Sequence, residues 1–116
     1  MRIVVPVSED KGEESRVAYH FGRAPYFAIF DSKEDSLVIK QTRKEVSKGR
    51  SRLAMKIMEY NPDVVFAAGM GRRAVDFFRS NNIRIETGDY NTLKEIMENK
   101  DKLEELEEAC KEARHG

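Results

Sequence analysis

The hydrophobic period of this chain changes once, near Arg52, and that change restricts the fold more than any other feature. Before it, the apolar runs have strand length and are rich in β-branched and aromatic residues: "RIVVPV" (Arg2–Val7), "YFAIFDS" (Tyr26–Ser32) and "LVIKQT" (Leu37–Thr42). The "KEDS" turn makes the last two a hairpin. After it, strand and helix alternate. Leu53, Ala54, Ile57 and Met58 fall on one helical face, and "NP" at Asn61–Pro62 closes that helix. "DVVFAAG" (Asp63–Gly69) is an apolar strand. Ala74, Val75 and Phe78 form the inner face of the next helix, closed by "SNN". "IRIE" (Ile83–Glu86) is a short strand, and "TLKEIMEN" is a helix with Asn91 or Thr92 as N-cap.

Strand–helix alternation implies parallel strands joined by right-handed crossovers, whereas the first three strands form a meander. One mixed five-stranded sheet between helical layers accommodates both. The expectation is an α/β protein, a three-layer α/β/α sandwich with strand order 3-2-1-4-5 and strand 2 antiparallel. With 116 residues the chain suits one domain, covering residues 1–100. Residues 101–116 are expected to extend that domain as an amphipathic C-terminal helix, with Leu103, Leu106, Cys110 and Ala113 as its stripe. In this topology the segments after strands 1, 3, 4 and 5 open on one edge, beside the switch point between strands 1 and 4, where ligands of open α/β sheets bind.

Composition removes several function classes. Lys and Arg total 21 and Asp and Glu 21, so bulk charge predicts neither a nucleic-acid nor a membrane partner. No apolar run approaches the roughly 20 residues of a membrane span, and "MRIVVPVSED" already reads as a strand, so the cytoplasm is the expected location. A single cysteine, Cys110, excludes an internal disulfide and a cysteine-only metal cage within one chain. Ser-His-Asp order, HExxH and CxxC are all missing, and the first strand has no acidic residue.

Two stretches on the expected ligand edge could carry chemistry. In "HFGRAP", His20 is either a turn histidine bonded to backbone or a metal ligand, since neutral imidazole suits iron and zinc. Arg23 caps an element or offers a forked donor to an anion. In "AAGMGRRA", Gly69 and Gly71 make a tight strand-to-helix turn, or let backbone approach a ligand at a helix N-terminus suited to anions. Met70 packs, or turns its thioether to a soft metal or sulfide surface. Arg43, Lys44, Lys48, Arg50 and Arg52 would add positive potential after strand 3, but without the aromatic interleaving of a single-strand binder. His115 and Cys110 lie in the C-terminal segment, the latter on its apolar stripe.

Taken together, "MRIVVPVSED", "HFGRAPYFAIFD", "PDVVFAAGMGRRAVDFF" and "IRIETGDYNTLKE" resemble the dinitrogenase iron-molybdenum cofactor biosynthesis family, which includes NifX- and NafY-type proteins and the NifB C-terminal domain. The resemblance spans about residues 1–100. It implies a ribonuclease H-like fold and a non-enzymatic carrier of iron-sulfur or iron-molybdenum-type clusters or their precursors, bound transiently. Cofactor-assembly proteins are the implied partners, and the chain is expected as a monomer or weak homodimer. Carried over by position, His20 is the metal-contacting residue. Phe21, Gly22 and Arg23 complete its motif, and Gly69, Met70, Gly71 and Arg72 form the second half of the cofactor-binding set. Relatives carry histidine, glycine or cysteine clusters after strand 3, where this chain has "KEVSKGRSR". Two alternatives stand beside this reading: a small-anion or protein-interaction module on the same fold, and a metal-dependent ribonuclease H-like enzyme.

Overall fold

A computed structural model describes residues 1–45 and 51–106. Its strands are β1 (Arg2–Val7), β2 (Tyr26–Asp31), β3 (Ser36–Gln41), β4 (Val64–Phe66), β5 (Arg84–Thr87) and β6 (Glu104–Glu105). They form a single sheet of order β3-β2-β1-β4-β5-β6. β2 runs antiparallel to both β1 and β3, while β1, β4 and β5 run parallel. The helices are α1 (Thr42–Glu45), α2 (Ser51–Met58), α3 (Arg72–Ser80) and α4 (Leu93–Glu98). The three-layer α/β architecture and the order 3-2-1-4-5 are as expected, with one strand added.

Strand alternation sorts the core onto two faces. Val4, Phe27, Ile29, Val65 and Ile85 pack with Leu53, Ala54 and Ile57 of α2 and with Ala74, Val75 and Phe78 of α3. Ile3, Val5, Val7, Ala28, Phe30, Val64 and Phe66 pack with Leu93 and Ile96 of α4. Pro6 is tolerated in the central strand because β4 pairs only with Ile3 and Val4, so the missing N–H lies beyond that ladder. Thr92 caps α4: its hydroxyl accepts the Glu95 N–H at 3.3 Å, and the Glu95 carboxylate accepts the Asn91 N–H at 3.4 Å.

The sixth strand corrects the expected C-terminal helix over residues 101–106. After a 3₁₀ turn at Lys100–Lys102, Glu104 and Glu105 pair antiparallel with Thr87 and Glu86. The Leu106 N–H donates to the Ile85 carbonyl at 2.8 Å, and Arg79 Nη2 donates to the Leu106 carbonyl at 2.6 Å. Leu103 and Leu106 looked like one helical stripe. In an extended segment a spacing of three sends them to opposite faces, so Leu103 packs with the α4 side and Leu106 with the α3 side. Extension wins because it pairs the edge of β5, which a helix would leave open. The remainder of the expected stripe, Cys110 and Ala113, lies outside the described residues, as do His115, Lys48 and Arg50.

Two carboxylates set the acid response. Glu86 is only 7% exposed and stands opposite Glu105 in the β5–β6 register. Burial pushes its carboxyl above the ordinary 4.5; Arg84, at 3.1 Å, offsets part of this, and Glu105 adds to it. For Asp31, burial is outweighed by amide donation from Glu34 and Lys33 and by Arg2, so its carboxyl sits below 3.8. A raised native value means that the folded chain takes up a proton already lost by the unfolded one. Glu86 therefore adds stability as pH falls from its raised value toward 4.5. Asp31 acts in the opposite sense: its contribution is lost as pH drops below 3.8. Glu86→Gln is expected to raise the urea midpoint at pH 7 and to have little effect near pH 4. An unchanged difference between variant and wild type across that range would contradict this assignment.

Candidate functional site

The two sequence motifs meet at the carboxyl edge of the sheet. The chain leaving β1 folds back along the sheet edge, fixed by Ala18 N–H to Pro6 O (3.0 Å) and Val17 N–H to Asn91 O (2.9 Å). It then runs parallel to the exit of β4: His20 bridges Gly69, and the Phe21 N–H donates to the Gly69 carbonyl at 3.0 Å. Residues 49 positions apart are thus neighbours through backbone alone, by 69 minus 20.

Side chains divide at this point. Phe21 is 1% exposed and meets the Phe78 ring edge-on at 5.7 Å, while Met70 is fully buried in the same cluster. Neither presents its side chain to the edge; both anchor the loops that do. Half-buried His20 and exposed Arg23 and Arg72 remain at the surface, with Gly22 half-buried and Gly69 and Gly71 buried between the anchors. Tyr19 stands edge-on to His20 with centroids 4.8 Å apart. Gly69 makes room for it, since a Cβ there would lie 3.1 Å from the Tyr19 ring.

Gly71 is the N-cap of α3 and makes no side-chain cap. The first backbone bond of the helix runs from Val75 N–H to Gly71 O at 3.1 Å. The amides of Arg72, Arg73 and Ala74 precede it, and the positive end of the helix dipole emerges between exposed Arg72 and Arg73. From the expected basic segment, Lys44 is exposed on α1 at the same edge of the sheet. Among the described residues, no three His, Cys, Asp or Glu side chains come together to hold a metal ion. Among the described residues His20 is the one histidine, on the same edge as the opening amides of α3 and exposed Arg23, Arg72 and Arg73.

A groove of about 930 Å³ adjoins His20 through Tyr19. Tyr90 forms another part of its wall, seated on Gly88, where a Cβ would come within 2.4 Å of its ring. The sequence expectation placed "TGDYN" on this edge but gave Tyr90 no role; the glycine two residues before it was the available signal.

The matches to known proteins agree with the fold. Residues 1–103 match the model of the family described as "Dinitrogenase iron-molybdenum cofactor". A solved protein designated PH0822 is 29% identical over 91% of this chain and 96% of its own, with a TM-score of 0.75. The apo form of the orange protein from Desulfovibrio gigas is 17% identical, covers 90% and 92%, and has a TM-score of 0.79. A Thermotoga protein provisionally assigned as NifB is 20% identical, with the same coverage and a TM-score of 0.77. Among proteins with curated functions, none matches the sequence. Among the described residues, no helix is long and apolar enough to cross a membrane. By its motifs, its sheet order and the extent of the match, the chain belongs to the dinitrogenase iron-molybdenum cofactor family.

Proposed function

We propose that this protein is a non-catalytic carrier for an anionic iron-sulfur or iron-molybdenum-type cluster, or its precursor, in cofactor assembly or storage. The observation that carries this reading is the His20–Gly69 backbone bridge, which brings the two motifs together next to the glycine-lined start of α3. His20 supplies one metal bond. Backbone amides at Gly71–Arg72 donate to sulfide or oxyanion atoms, and Arg23 and Arg72 neutralise cluster charge. Single-point ligation suits a cargo that must leave again. Donor and acceptor proteins of cofactor assembly are the partners of such a carrier, which works in the cytoplasm as a monomer or weak homodimer.

One rival is a module that binds small anions or proteins without a cluster; among the described residues no three His, Cys, Asp or Glu side chains come together, which is compatible with it. A ribonuclease H-like nuclease draws no support from β1, whose six residues include no carboxylate. Anaerobic titration with synthetic iron-sulfur and iron-molybdenum-sulfur clusters separates these readings. Carriage predicts binding that weakens with salt and falls about tenfold or more in His20→Ala. Equal binding by the variant would remove His20 as a ligand. No binding by the wild type, with small anions still bound, would favour the rival.

A further inference from the structure

The groove beside Tyr19 differs in charge from the surface next to it. The two motifs joined at the His20–Gly69 bridge carry exposed Arg23, Arg72 and Arg73. In the groove the charged lining residues are Asp89 and Glu104 against Arg16, so the balance is negative by one. An anionic cluster favours the first surface and is disfavoured by the second. The groove has been shaped as well as charged. Tyr19 is packed over Gly69 and Tyr90 over Gly88, so the exits of β4 and β5 each seat an aromatic ring on backbone. Tyr19 nonetheless keeps 54% of its surface exposed. Two tyrosines with carboxylates nearby form the environment that stabilises a guanidinium or ammonium group, by cation–π attraction and ion pairing together.

We propose that this groove is a docking site for a basic, arginine-bearing segment of a partner protein. Charge complementarity selects the occupant: the carboxylates of Asp89 and Glu104 and the rings of Tyr19 and Tyr90 line one open groove and fit a basic segment. Because Tyr19 touches both His20 and the groove, a docked segment lies next to the cargo edge. The docking site stands on its own geometry; its use in handing over cargo rests on the carrier reading.

The test uses the full chain without any cluster, so its failure is distinct from failure of the carrier reading. Isotope-labelled protein is titrated with a short arginine-containing peptide and with the same peptide bearing glutamate instead. The arginine peptide is expected to shift the amides of Gly88, Asp89 and Asn91 and the rings of Tyr19 and Tyr90. The glutamate peptide leaves them in place. Asp89→Asn combined with Glu104→Gln weakens binding about threefold to fivefold without disturbing the core. Tyr90→Phe, which keeps the ring, retains binding. No shift with the arginine peptide, equal shifts with both peptides, or shifts unaffected by the double variant would each overturn the proposal.

Discussion

Phe21→Ala is expected to lower stability by about 3–5 kcal/mol, a large part of the roughly 5–15 kcal/mol that holds a small domain folded. The residue sits inside a motif otherwise made of surface groups, and its side chain is 1% exposed. Removing it deletes an edge-on contact with Phe78 and opens a cavity in the core cluster that also holds Leu53, Met70 and Ala74. The backbone bond from the Phe21 N–H to the Gly69 carbonyl is kept by alanine, so the expected loss is that of the ring alone. Urea unfolding followed by circular dichroism measures this as a fall in midpoint at constant slope. A loss below about 1 kcal/mol would mean that Phe21 is not the anchor of this loop.

Met70 gives the second large effect and a sharper distinction. Its thioether is fully buried with Phe21 and Phe78, so truncation to alanine is expected to cost about 2–5 kcal/mol. Met70→Leu conserves volume and is expected to cost less than about 1.5 kcal/mol. Were the sulfur a cluster ligand, the leucine variant would be stable but defective in binding. The buried position predicts the reverse order: the leucine variant binds cargo like wild type, and the alanine variant is the one that loses stability. Binding measured on the leucine variant decides the point independently of stability.

Much of the fold could be read from the sequence because its signals were local and redundant. The run Val4–Val5, the hairpin at residues 32–36 and the helical face Ala74, Val75 and Phe78 each point to one element type. Right-handed crossovers then leave few sheet orders open. β6 was not legible, because leucines three apart satisfy both a helix stripe and the two faces of an extended edge, and only the unpaired side of β5 decides between them. The short helix at Thr42–Glu45 begins where the sequence reads as the end of a strand and runs into a polar segment, and it lacks an apolar face that could announce it. At the candidate site the sequence offered two motifs, but not the direction of their side chains. Phe21 and His20 are adjacent, and the 3₁₀ turn at Phe21–Arg23 turns one into the core while leaving the other at the edge. The tyrosine-walled groove joins residues 16–19 to residues 87–92, a juxtaposition made by the sheet and carried by no local pattern.

The central claim is that His20 contacts the metal of a carried cluster. Pulsed EPR on protein loaded anaerobically with a paramagnetic iron-sulfur or iron-molybdenum-type cluster tests it most directly. The account predicts a nitrogen-14 coupling of the size of a coordinated imidazole in the wild type, and its loss in His20→Ala with Phe21 and Met70 intact. A loaded wild-type protein without that coupling, or the same coupling in the variant, would contradict it.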